Sequence, residues 1–232
     1  MNSIDSSLDE LAGIEEVPAP WTLSGKGLIV VMRSKADKLL ADPRIPAHIH
    51  NTLKTPLSVL MFVDYTHSHA GPYKELLYIP GTVQFSEKLG GKRLPTISNI
   101  VVSSASSVKN GRINWGIPKN LCSFDVAQGP DGLQEINLHH EGMPQFELAY
   151  RGKGFSFPIH TGLVPGFLKT LGQHWQGKEF MYSPSAKGKA RFASVHVLQN
   201  LGDAFPDLDI NDVITALEIT RFQMTFPTAH IV

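Results

Sequence analysis

The 232-residue sequence predicts a mainly β protein of α+β type, an antiparallel β-barrel or double sheet with a few short helices. Three observations carry this. Roughly seven to ten short runs are rich in β-branched and aromatic residues, 20 glycines and 16 prolines punctuate them, and no internal repeat or low-complexity tract interrupts the series. Regularly spaced strands with Gly/Pro turns close most readily into a barrel or sandwich. With 42% hydrophobic residues the chain is long enough to bury a sizeable core.

Residues 1–20 are rich in Ser, Asp and Glu and end in Val17-Pro18-Ala19-Pro20, the composition of a flexible N-terminal arm. A single domain is expected over 21–232. Gly27 to Arg33 is a β-branched apolar run that reads as a buried strand. Ser34 can cap a helix from Lys35 to Ala41, which Pro43 stops. Leu57 to Tyr65 returns to strand composition. Tyr73 to Phe85 is the next strand, and its period of two places Tyr73, Glu75, Leu77 and Ile79 on one face. Glu75 thus shares a face with apolar neighbours, where a carboxylate must be paired, hydrogen-bonded or protonated.

Gly90-Gly91-Lys92-Arg93 reads as a solvated turn, Ile97 to Ser103 as a strand, and Ser104 to Asn110 as a short turn or helix. Leu121 to Ala127 is again strand-like. Gln134 to His139 and Gln145 to Arg151 form an antiparallel pair joined by a loop at 140–144. From Gly152 to Gly177 recurring Gly and Pro suggest loops, interrupted by a helical turn or two over Phe167 to Leu171. Ala190 to Leu198 and Val213 to Phe226 complete the strands, the last helical in its first third.

Chemistry points to the run from Gly111 to Leu121, where Lys119 follows Pro118 in mostly apolar surroundings. Pro118 fixes its own φ and pushes Ile117 toward an extended conformation, so the backbone aims the lysine. The pattern GRxxWGxPK (Gly111 to Lys119), preceded about forty residues earlier by Tyr73-Lys74-Glu75, resembles the acetoacetate decarboxylase family. The resemblance implies that family's fold, a Schiff-base lysine at Lys119, an active-site carboxylate at Glu75, and a homo-oligomer. It departs from the family at Asn120, where a second lysine is expected, and at Leu60 and Gly25, where a loose alignment places a glutamate and an arginine. Decarboxylation of a keto acid is the activity the resemblance favours, with aldol or dehydratase chemistry, or ligand binding without turnover, as alternatives.

An amine must be neutral to attack a carbonyl. At an ordinary lysine pKa of about 10.4, roughly one lysine in 2500 is neutral at pH 7, so the site must lower that value by about 3 pH units, or about 4 kcal/mol. Without a second lysine, desolvation by Trp115, Ile117, Pro118 and Leu121, helped by Arg112, would have to do most of this. Arg112 and Arg33 are candidates to hold a substrate carboxylate, and Trp115 and Tyr73 to line the substrate site. No cofactor is required by this chemistry.

Other classes find less support. Lys plus Arg equals Asp plus Glu at 21 each, with no basic patch interleaved with aromatics, so nucleic acid is not an expected partner. No apolar run approaches the ~20 residues that span a bilayer, so no membrane is expected either. A lone Cys122 and a polar, acidic start make the cytoplasm the default location. His48-x-His50 and His67-x-His69 would each put two imidazoles on one face of an extended segment, loosely like a cupin metal motif.

Overall fold

The computed structural model describes residues 11–163 and 169–232. Its strands, in chain order, are β1 (Trp21–Arg33), β2 (Leu57–His67), β3 (Tyr73–Ile79), β4 (Gly81–Gln84), β5 (Arg93–Thr96), β6 (Asn99–Val102), β7 (Asn120–Leu121), β8 (Ser123–Gln128), β9 (Gln134–His140), β10 (Met143–His160), β11 (Leu171–Trp175), β12 (Lys178–Tyr182), β13 (Ser185–Asn200), β14 (Val213–Phe226) and β15 (His230–Ile231). The described helices are α1 (Ala36–Ala41), α2 (Ala47–His50) and α3 (Ala105–Trp115), none long and apolar enough to cross a membrane.

Ten strands form one sheet in the order β7-β6-β3-β2-β1-β14-β13-β10-β9-β8. Neighbours are antiparallel except for the parallel pair of β6 and β7. The terminal strands β7 and β8 are separated in sequence by Cys122 alone, so the sheet must curl until its edges meet. Cys122 makes the join: its N–H donates to the Val102 carbonyl of β6 at 3.0 Å, and its thiol donates to the His139 carbonyl of β9 at 3.1 Å. Curling in this way covers edges that would otherwise template further strands.

Alternation along the strands gives the sheet two apolar faces. Leu28, Val30, Leu60, Phe62, Leu76, Ile136, Leu138, Phe146 and Leu148 come from strands all round the sheet and fill the barrel interior. The opposite face of β2, β3 and β6 carries Val63, Tyr65, Tyr73, Leu77, Ile100 and Val102. Over it pack α3 and the small sheet β11-β12-β15, through Val108, Trp115, Phe180 and Tyr182. Glu75 lies on this second face, in register with Val63 of β2 and Val102 of β6.

Several expectations are corrected. The run Tyr73 to Phe85 is two strands, because Pro80 stands between β3 and β4 and lacks the N–H a ladder needs. Helix α3 continues past Asn110 to Trp115, and the Ser34 side chain does not cap α1, whose N-cap is Lys35. The 140–144 loop is a two-residue turn, Glu141-Gly142, with φ of 50° and 78°, the mirror-image conformation that suits strand twist. β10 continues through Gly152 to His160, and β14 is strand throughout, preceded by a 3-10 turn at Ile210–Asp212. Residues 167 and 168 of the expected helical turn lie outside the described residues, as do residues 1–10.

Candidate active site

Helix α3 and the turn after it fix the position of Lys119. Ser104 caps the helix, its side chain accepting from the Ser107 N–H at 3.3 Å. Gly116 ends it in the left-handed region at φ 64°, with its N–H returned to Arg112 and the Ile117 N–H to Gly111. The Phe180 ring occupies the space a Cβ at Gly116 would need. Around Pro118 the chain turns tightly, the Lys119 N–H donating to the Ile117 carbonyl at 2.8 Å. The lysine stem then runs back across α3 over Gly111, where a Cβ would lie 2.7 Å from Lys119 Cδ and 2.8 Å from Cε. The two glycines of the run thus serve the lysine, one by turning the chain and one by leaving room for the stem.

On its outer side α3 is held by the segment before β1. Asn110 Oδ1 accepts from the Val17 N–H at 2.7 Å, and Asn114 Nδ2 donates to the Val17 carbonyl at 2.9 Å.

The amine meets three acceptors. Lys119 Nζ donates to Glu75 Oε2 at 2.7 Å, to Ser107 Oγ at 3.0 Å and to the Tyr73 hydroxyl at 3.4 Å. The Tyr65 hydroxyl donates to the other Glu75 oxygen at 3.3 Å. The Lys119 and Glu75 side chains are only 6% and 5% exposed. Three acceptors for three N–H bonds suit an ammonium. Burial pulls the lysine pKa down, but the Glu75 charge, the nearby Tyr73 and their hydrogen bonds outweigh it and hold the value above the ordinary one. The sequence left open whether the amine is neutral without a second lysine; the Glu75 partner favours its protonated form. Burial also pushes the Tyr73 phenol up to about 12 and raises Tyr65 well above its usual range, so both remain protonated donors.

Of the residues singled out in the sequence, Lys119, Glu75 and Tyr73 come together here. Arg112 lies beside them but braces the backbone: Nε donates to the Lys119 carbonyl at 2.9 Å, Nη2 to Asn120 Oδ1 at 2.7 Å, and the guanidinium stacks over Trp175 at 5.1 Å. Asn120, in place of the second lysine, is an acceptor for that brace. Trp115 packs edge-on against Trp21 and Phe226, its indole N–H on the Pro227 carbonyl at 2.6 Å. Leu121 is 39% exposed. Arg33 is exposed and elsewhere. It pairs with Leu57, six residues along β1 from the Gly27–Val63 register that neighbours Glu75, or roughly 20 Å at ~3.3 Å per residue.

The remaining departures from the family pattern have physical readings. Leu60 is a fully buried residue of the barrel interior, on the opposite face from Glu75. Gly25 faces the Asp64 carbonyl so closely that no side chain fits. Ser107 and Tyr65 were missed in the sequence. Ser107 is found by extending α3 to Gly111, which puts the two at i and i+4 on one face. Tyr65 is found by pairing β2 with β3, which sets it opposite Tyr73.

The histidine pairs do not converge. His48 and His50 sit on α2 rather than an extended segment, with His50 Nε2 3.0 Å from the Ile45 carbonyl oxygen. His67 and His69 have ring centroids 6.5 Å apart, and His69 Nδ1 accepts from the Thr22 N–H. Among the described residues no group of three or more His, Cys, Asp or Glu is arranged to hold a metal ion.

No protein-family model and no curated protein matches this sequence. Solved structures do. An acetoacetate decarboxylase from Legionella pneumophila superposes with a TM-score of 0.68 at 15% identity, covering 100% of this chain and 97% of that chain. MppR, an enduracididine biosynthesis enzyme solved with pyruvate, gives 0.62 at 14% identity over 94% of this chain and 92% of its own. An acetoacetate decarboxylase-like enzyme from Sphingomonas wittichii RW1 gives 0.60 at 14% identity over 93% and 94%. By these superpositions and its nearly closed, barrel-like sheet, this chain has the acetoacetate decarboxylase-like fold.

Proposed function

We propose that this protein is an acetoacetate decarboxylase-like enzyme in which Lys119 condenses with the ketone of a small β-keto acid and the resulting iminium releases carbon dioxide. The observation that carries the reading is the enclosed contact of Lys119 Nζ with Glu75 Oε2 at 2.7 Å, on a fold shared with acetoacetate decarboxylases. At that distance Glu75 can take the ammonium proton as the ketone arrives, freeing the lone pair for attack. Glu75 then returns the proton to the carbinolamine hydroxyl, which leaves as water and gives the iminium. Loss of carbon dioxide moves the electron pair of the breaking C–C bond into the iminium, forming an enamine. Protonation of the enamine at carbon and hydrolysis release the ketone and restore Lys119. Tyr73 and Ser107 hold Nζ on its path, and Tyr65 holds the carboxylate.

One observation favours a second reading, aldol addition or dehydration on the same iminium. Decarboxylation needs only the electron sink, whereas these reactions need an acid/base beside it, and Glu75 touches the nitrogen itself. Assays of carbon dioxide release from β-keto acids, and of pyruvate condensation with small aldehydes, separate the two. In either case Lys119→Ala is expected to fall to the uncatalysed background. Equal turnover by Lys119→Ala and wild type on every accepted substrate would sink the proposal.

A further inference from the structure

Strand β12 brings another polar group toward the Lys119 site. Tyr182 lies on the same face of β12 as Phe180, the residue packed on Gly116. It is 3% exposed, and its ring packs against Phe226 at 5.3 Å. Its hydroxyl has no hydrogen-bond partner among the described residues. The adjacent amide of Gln173 donates to the Ile97 carbonyl at 3.2 Å and accepts from the Ile97 N–H at 2.8 Å in the orientation that satisfies both of its ends. Burial above all raises the Tyr182 phenol well above its usual range, the Gln173 amide beside it working the other way and the Glu75 charge adding to the rise, so it stays a proton donor.

An unpaired buried hydroxyl is costly, and native interiors keep few of them. Phenylalanine would give the same packing without the penalty. A buried donor with no hydrogen-bond partner among the described residues, on the strand that covers the turn leading to Lys119, is complementary to an oxygen that arrives with a ligand. Glu75 repels an anion on its own side of Lys119, so a keto acid must direct its carboxylate away from Glu75.

We infer that Tyr182 is a substrate-binding residue of the Lys119 site, donating its hydroxyl proton to a carboxylate oxygen of the bound keto acid. The keto-acid class rests on the function proposed above. The test is Tyr182→Phe, with three readouts. The variant should melt about 2–4 °C higher than wild type, since it loses an unpaired buried hydroxyl. By calorimetry it should bind pyruvate and acetoacetate about ten- to a hundredfold more weakly, the loss expected for one hydrogen bond to a charged acceptor. Borohydride capture of acetone at Lys119 should be unchanged, because acetone has no carboxylate.

Unchanged affinity for both acids overturns the assignment, as does an equal loss for acetone or a lower melting temperature, which would give the hydroxyl to the fold. Wild type that binds neither acid overturns it too. If wild type binds pyruvate in a Tyr182-dependent way but borohydride captures nothing at Lys119, the Schiff-base reading fails and the Tyr182 assignment stands.

Discussion

Replacing Glu75 by glutamine keeps the shape of the Lys119 site and removes its counter-charge. The two side chains are 6% and 5% exposed and their charged atoms 2.7 Å apart. Removing one partner of such a buried pair costs about 3–5 kcal/mol if the other stays charged. The amine can instead give up its proton. At pH 7, about 3.4 pH units below the ordinary lysine pKa, that costs about 4–5 kcal/mol. Both routes give a loss of about 3–5 kcal/mol at neutral pH. The pH dependence has opposite signs in the two proteins. In wild type the folded-state lysine pKa is raised, so its stabilisation is complete below the unfolded value of about 10.4 and is lost as pH climbs through the folded one. In Glu75→Gln burial acts without the counter-charge and the folded pKa falls below the unfolded one. The unfolded chain then binds more protons, and stability rises with pH by up to about 1.4 kcal/mol per pH unit until near pH 10. Urea unfolding at pH 7 and pH 9.5, with m-values compared, should show the gap shrinking by about half or more. A gap under about 1 kcal/mol at pH 7, or an equal gap at both pH values, refutes the buried ion pair.

Gly111→Ala puts a Cβ against the lysine stem while adding about 1 kcal/mol of helix preference. Its stability should stay within about 1 kcal/mol of wild type by urea unfolding, while borohydride capture at Lys119 slows at least about tenfold, because small misplacements of a reacting group are expensive. Cys122 is buried, and burial pushes its thiol up to about 11. Iodoacetamide at pH 8 should leave it unlabelled in the folded protein and label it fully in urea. Rapid native labelling would contradict the edge closure at that residue.

The strands and the run from Gly111 to Leu121 were legible because both are local patterns. Burial of β-branched runs is written in composition, and the Tyr73 and Gly111 runs carry their own spacing. What escaped depends on long-range partners. Gly111 reads as a helix breaker, yet α3 passes through it because the Lys119 stem fills the space its missing Cβ leaves. Gly152 reads as a turn, yet it lies within β10 because the Arg191–Glu218 pair, with 2.6 Å between Nε and Oε2, crosses over it. Gly154 sits where the register of β10 and β13 shifts, at φ 69°. Arg33 was drawn toward the site because a strand's composition does not say which of its ends neighbours Glu75. The register of β1 with β2 decides that. The protonation of Lys119 was not legible for the same reason: its apolar sequence neighbours were visible, but the approach of Glu75 from β3 was not.

The most direct test of the central claim is borohydride reduction in the presence of acetoacetate or pyruvate, read by intact mass and peptide mapping. A tuned, enclosed amine predicts a single reduced adduct, located on Lys119 and absent from Lys119→Ala. No adduct, or adducts spread over exposed lysines with Lys119 unmodified, would contradict the account and leave Lys119 and Glu75 as a structural ion pair in a fold that serves another purpose.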